Sequence, residues 1–241
     1  MADLKSKKIL MIVPAYNEAL NISRVVKALK EKHPSFCVLV VDDCSVDNTA
    51  RVAGMAGAEV VSLAFNLGIG GAVQTGFQYA FKHDFDAAVQ FDGDGQHDAD
   101  CIADILGPVL AGRLDICIGS RFLSRSGAFK SSFLRRIGIR FFAALISCII
   151  RQKLTDPTSG NRAFSRKMIS LFAKDYPVDF PEPEGIVIAK HHHASIGEAA
   201  VVMHARKAGA SSISFLKSGY YMFKVTLAVI LAVLKKRRDI P

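Results

Sequence analysis

Short apolar runs rich in β-branched residues alternate with helix-length amphipathic segments through the first half of the chain. The runs at 9–13, 36–41, 60–63, 87–91 and 116–118 read as strands, and the segments between them are long enough for crossover helices. That alternation predicts an α/β fold built on a parallel sheet. Helix starts lie where the pattern needs them: Asn21 stands ahead of Val25, Val26 and Leu29, and Asp47 or Asn48 precedes a helical stretch that Gly57 stops. Past Arg121 the pattern changes. The stretch 129–153 sets Arg135, Arg136, Arg140 and Arg151 into a run of Phe, Ile, Leu and Ala, and reads as an amphipathic helix. A polar turn at 155–161, a helix through 168–172, a proline-bounded loop at 177–183, another helix and a strand near 199–203 follow. A last helix at 219–238 has an apolar middle and a Lys235-Lys236-Arg237-Arg238 end.

Composition narrows the class. The 241 residues suit one large domain or a domain with an appendage, and 50% hydrophobic against 22% charged residues excludes a disordered chain. Cys37, Cys44, Cys101, Cys117 and Cys148 are widely spaced with no C-x-x-C pair, which argues against a disulfide framework or a zinc site and for a reducing compartment. Lys and Arg outnumber Asp and Glu by 31 to 22, so an anionic partner is expected. The polar first residues lack a signal-peptide pattern. The longest apolar stretches, 141–150 and 225–234, fall short of the roughly 20 residues that cross a bilayer.

The residues that carry chemistry cluster at strand carboxyl ends, where open α/β sheets bind ligands. Asp92-Gly-Asp94 follows the fourth run. Residues i and i+2 leaving a strand point the same way, so two carboxylates stand together, and a hard divalent cation relieves their repulsion. All-oxygen ligation favours magnesium or manganese, and Gln96 offers a further oxygen. The plainer alternative is a solvated turn. Asp42-Asp43 ends the second run and Pro14-Ala-Tyr16-Asn-Glu18 the first. An aspartate there can accept a nucleobase N–H and Tyr16 offers a stacking face, while helix capping is the structural alternative.

These residues resemble the nucleotide-sugar glycosyltransferases of family 2, whose GT-A fold opens with P-x-Y-N-E, then V-D-D-x-S-x-D-x-T, then D-x-D. This chain has Pro14-Ala-Tyr16-Asn17-Glu18, Val41-Asp42-Asp43-Cys-Ser45-Val-Asp47-Asn-Thr49 and Asp92-Gly-Asp94. The likeness narrows to the polyprenyl-phosphate enzymes through Gln96-His97, Gly119-Ser120-Arg121, Asp156-Pro157-Thr-Ser159-Gly160 and Arg206-Lys-Ala-Gly209-Ala-Ser211. It implies a GT-A fold with a mostly parallel, Rossmann-like sheet flanked by helices. It also implies that Pro14, Tyr16, Glu18 and Asp43 contact the nucleotide, that Asp92, Asp94 and Gln96 serve metal and donor, and that Arg121, Arg136 and Arg206 meet phosphates. Asp98 stands where the family has proline, and the family's hydrophobic carboxyl-terminal domain has no counterpart.

The resulting expectation is a metal-dependent hexosyltransferase, using Mg2+ or Mn2+, that moves a sugar from a nucleotide-diphosphate donor to a polyprenyl phosphate. Residues 1–120 form the nucleotide-sugar half, 121–218 the acceptor half, and 219–241 an amphipathic basic helix. A lipid monophosphate is anionic near neutral pH and needs cations rather than a base. Asp92, Asp94, Arg121 and Arg206 are therefore the catalytic candidates. Two alternatives stand beside this. One is a family 2 enzyme that glycosylates a glycan hydroxyl with Glu184 as base, in cell-wall or surface polysaccharide synthesis. The other is a noncatalytic nucleotide-sugar or nucleic-acid binding module; the favoured reading has no nucleic-acid partner. His191-His192-His193 cannot share an ion, since neighbours on a helix diverge by about 100°, whereas His204 is a candidate metal ligand or core histidine. The last helix, with Tyr220, Tyr221 and Phe223 ahead of its apolar body, suits peripheral contact with the inner face of the membrane from the cytoplasm. A small membrane protein or a second copy of the chain is the alternative partner for that helix.

Overall fold

The computed structural model describes residues 7–123, 133–203 and 217–234. Seven strands form one sheet in the order β3-β2-β1-β4-β6-β5-β7. They are β1 (Ile9–Ala15), β2 (Cys37–Asp42), β3 (Glu59–Ser62), β4 (Ala87–Gln90), β5 (Ile116–Ser120), β6 (Arg162–Ser165) and β7 (Ile196–Ala200). All pairs are parallel except those of β6, which runs antiparallel between β4 and β5. The sheet is thus the mostly parallel α/β sheet expected, and it takes strands from both sides of residue 120.

The period of two along each strand divides the core. Leu10, Ile12, Leu39 and Val41 face one side, with α3 (Gly68–Lys82), α5 (Phe133–Ile150), α6 (Arg166–Lys174), α7 (Pro181–His191) and α8 (Lys217–Leu234) contributing to the same cluster. Ile9, Met11, Val13, Val38 and Val40 face the other, covered by α1 (Ile22–Lys32), α2 (Thr49–Met55) and α4 (Ile102–Leu110). Phe77 of α3 is fully buried against Phe164, Phe172 and Tyr176 at centroid distances of 4.9, 5.4 and 5.2 Å. Such aromatic contacts add to the roughly 1.5–3 kcal/mol of burying the ring itself.

Three expectations change. Strand β6 replaces a stretch with no expected strand, because Arg-Ala-Phe-Ser is short and opens with a charge. Strand β7 lies at Ile196–Ala200 rather than near 199–203, since Gly197 and Glu198 dilute its apolar signal. The proline-bounded loop ends early: Pro181 is the first residue of α7 and Pro183 lies in its first turn, where no intrahelical N–H is required.

The basic amphipathic stretch forms α5. Helix α8 docks on the domain through buried Val225, Val229 and Ala232, leaving Leu227, Ile230, Leu231 and Leu234 exposed. On α5, Ile137 and Phe141 are exposed beside exposed Arg136 and Arg140. Among the described residues no helix is long and apolar enough to cross a membrane.

Candidate active site

The antiparallel strand builds the site. Because β6 runs against β4 and β5, its amino end lies beside their carboxyl ends, and the loop at 155–161 is carried to the rim where the Asp92 and Arg121 loops emerge. Register places Gln90 opposite Arg162. Two residues further along β4's path, the Asp92 carboxylate rests against Gly160: a Cβ there would stand 2.8 Å from Oδ1 and 3.2 Å from Oδ2. Only a residue without a side chain allows that approach. Gly93, between the two acids, likewise passes close to the strand, with its Cβ position 3.0 Å from the Pro14 carbonyl.

Asp92 is held on its other side by His97, whose Nε2 is 2.9 Å from Oδ2 and in position to donate. The Asp92 side chain is 33% exposed and that of His97 only 2%, so the carboxylate reaches solvent and the buried ring backs it. Desolvation alone would push the Asp92 carboxyl up, but the His97 ring, and then Arg121 and Arg162, hold it below the ordinary carboxylate range. Asp94 is half-buried and its Oδ1 accepts from the Gln96 N–H at 3.0 Å, closing the turn; Gln96 is half-buried beside it.

Arg121 is bound to Asp156. Its Nε and Nη2 donate to the two carboxylate oxygens at 2.6 and 2.7 Å, its backbone N–H adds a third bond at 3.1 Å, and Nη2 also reaches Thr158 Oγ1 at 3.1 Å. The pair is buried, with Asp156 fully enclosed. A phosphate would therefore meet Arg121 as half of a neutralised pair rather than as a lone surface cation. Glu198 of β7 fixes the loop from behind, accepting from the Thr155 and Asp156 N–H groups at 2.8 Å each. Arg136 sits exposed on α5, while Arg206 and His204 lie outside the described residues.

At the donor end the loops after β1 and β2 are stitched together. Asn17 N–H donates to Ser45 Oγ at 2.9 Å, Glu18 N–H to Thr49 Oγ1 at 2.8 Å, and Val46 N–H to Asn17 Oδ1 at 3.0 Å. Tyr16 stands 49% exposed at the rim, whereas Pro14 is buried in β1. The Glu18 carboxylate accepts from Asn21 Nδ2 at 2.7 Å. Asp43 is a cap: its two oxygens accept from the Leu67 and Gly68 N–H groups at 2.7 and 2.9 Å, seating the start of α3 from the neighbouring loop. Asp42, 4% exposed, instead keeps a buried oxygen without a hydrogen-bond partner.

Residue patterns missed Arg162 and Glu198, and marked Glu182 and Glu184 only as alternative base carboxylates. Arg162 is buried beneath the site. Glu182, next to Pro181 at the start of α7, is pushed above the ordinary carboxyl range by burial, with Arg162 opposing and the Asp92 charge adding to the shift. Glu184, the expected base, lies half-buried in the same first turn, its N–H on the Phe180 carbonyl at 3.2 Å. The three consecutive histidines end α7 and start the following turn, at the far end of that helix from Glu182. Among the described residues no three His, Cys, Asp or Glu side chains converge on a point. The oxygen donors of Asp92 and Asp94 fit a magnesium- or manganese-type ion, which takes one or two carboxylates and completes its shell from phosphate and water.

Comparison with known proteins agrees with this architecture. A solved structure of glucosyl-3-phosphoglycerate synthase from Mycobacterium tuberculosis, in complex with Mn2+, uridine diphosphate and phosphoglyceric acid, matches with a TM-score of 0.72. The match covers 97% of this chain and 81% of that one at 18% identity, and so shows the shared GT-A fold. The sequence matches the family model for Glycosyl transferase family 2 over residues 11–172, and the chain belongs to that family. It is 32% identical over 221 residues to UDP-N-acetylglucosamine–dolichyl-phosphate N-acetylglucosaminyltransferase of Methanococcus voltae, covering 82% of this chain and 85% of the relative. It is also 29% identical over 230 residues to polyprenol monophosphomannose synthase of Mycolicibacterium smegmatis, covering 91% and 86%.

Proposed function

We propose that the protein transfers a hexose from a nucleotide-diphosphate sugar to a polyprenyl phosphate, by a single displacement assisted by Mg2+ or Mn2+. The observation that carries this reading is that relatives named for dolichyl-phosphate and polyprenol-phosphate chemistry align with nearly the whole chain. Asp92 and Asp94 would hold the ion, with Gln96 beside them. A bound divalent ion would neutralise charge developing on the leaving diphosphate. The chain's own groups do the rest. His97 and Gly160 fix the Asp92 carboxylate from two sides. The Arg121–Asp156 pair, with Arg136 and Arg206 as the further cations that the sequence offers, would meet an acceptor phosphate whose oxygen is already anionic, so proton removal is not required. Tyr16 supplies an exposed face for the nucleobase.

Peripheral membrane contact belongs to the same reading. Exposed Ile137 and Phe141 of α5 and Leu227 and Leu231 of α8, with Arg136 and Arg140 among them, have the mixture of apolar and basic groups that suits the headgroup boundary of an anionic leaflet. The test is to incubate the protein with UDP-, GDP- and dTDP-sugars and Mn2+, with and without undecaprenyl or dolichyl phosphate. Nucleoside diphosphate release should require the lipid phosphate. Equal release with a glycan hydroxyl acceptor in its place would move the assignment to polysaccharide synthesis.

A further inference from the structure

Arg162 is 2% exposed and among the largest fully buried side chains of the protein. Buried arginines are ordinarily bound to carboxylates. Here the guanidinium donates instead to three main-chain carbonyls: Nε to Ser159 at 2.7 Å, Nη2 to Pro157 at 2.7 Å and Nη1 to Glu182 at 2.8 Å. Those carbonyls belong to two separate segments, the loop that enters β6 and the first turn of α7. The residue between Ser159 and Asn161 is Gly160, against which the Asp92 carboxylate rests. One planar group thus ties loop and helix into a single wall behind the acid. A rigid fork is needed for three bonds in three directions, which a lysine ammonium on a flexible stem does not reproduce.

We propose that Arg162 is a positioning residue that fixes Gly160 and the start of α7, and through them sets the Asp92 carboxylate for cation binding. The inference rests on the metal-assisted reading above. Its test uses Arg162→Lys and Arg162→Met in the full chain, with Mn2+ alone as probe, followed by electron paramagnetic resonance. Amide hydrogen exchange is measured in parallel without metal. Substitution of groups that orient a metal ligand costs about 10–100-fold in affinity, and a loss of that size is expected in both variants. Exchange should quicken at the amides of 158–160, 182 and 184 while β1 and β2 stay protected. Gly160→Ala, which leaves Arg162 in place and presses directly on Asp92, should lower Mn2+ affinity similarly and serves if the Arg162 variants do not fold. Wild-type Mn2+ affinity in the lysine or methionine variant, or exchange that quickens equally in β1, would overturn the role. A wild-type protein that binds no Mn2+ would instead remove the metal-assisted reading, and this inference with it.

Discussion

Removing the His97 ring tests how Asp92 is held. In His97→Ala the carboxylate loses a 2.9 Å hydrogen bond from a side chain that is 2% exposed. Hydrogen bonds to charged groups are worth about 1.5–3 kcal/mol, and at 1.4 kcal/mol per factor of ten that corresponds to about 10- to 100-fold. The ring also packs on Phe91 at a centroid distance of 5.8 Å, so some stability is lost as well. The two effects separate in a Mn2+ titration of the transfer reaction. Loss of orientation raises the Mn2+ concentration needed for half-activation by about 10- to 100-fold, with much of the rate recovered at saturation. Global destabilisation lowers the amplitude without moving the midpoint. His97→Gln, whose amide nitrogen reaches near the Nε2 position, should recover part of the shift. An unchanged Mn2+ midpoint in His97→Ala would refute the reasoning.

Other consequences are independent of that pair. Glu184→Gln should leave transfer to a lipid phosphate within about twofold, as for a substitution outside the key interactions, while a loss of orders of magnitude would mark Glu184 as a base and the acceptor as a hydroxyl. Asp115 accepts from the Ser195 N–H, Ser165 Oγ and Lys167 Nζ at 2.9, 3.0 and 3.2 Å. Burial would raise its carboxyl, but these partners hold it below the ordinary carboxylate range. Its contribution is therefore complete above the unfolded value and fades as pH falls through the lower folded one. Asp115→Asn should cost about 1–3 kcal/mol in urea melts at pH 7 and progressively less at pH 3; equal costs at both would contradict the linkage. Burial, with Glu59 beside it, pushes the Cys37 thiol up to about 12, whereas Cys148 is exposed. At pH 8 iodoacetamide should label Cys148 well before Cys37 by mass spectrometry, and equal rates would oppose that assignment.

The parallel half of the fold was legible because β1, β2, β4 and β5 are dense in buried aliphatic residues, and the placement of Asp92, Asp94 and Tyr16 at strand ends followed from it. The antiparallel strand was not legible. Its four residues begin with Arg162, and nothing in the residue pattern shows that this guanidinium is satisfied by main-chain carbonyls of the preceding loop and of Glu182. The roles of Gly160 and Glu198 depend on that strand and were hidden with it. Asp43 was legible only in part: its residue type suits both a nucleobase and a helix start, and only the tertiary approach of 67–68 shows the second. The prolines of α7 read as breakers because their position within the first turn is not evident without the Phe180 boundary.

In the proposed reaction the Asp92 and Asp94 carboxylates would grip the ion that meets the donor diphosphate. Calorimetric binding of the nucleotide sugar across a Mn2+ series, in wild-type protein and in Asp92→Asn and Asp94→Asn, addresses it directly. Affinity in the wild type should climb with Mn2+ and both variants should lose that dependence, whereas donor binding indifferent to Mn2+ in the wild type, or retained dependence in both variants, would contradict the account.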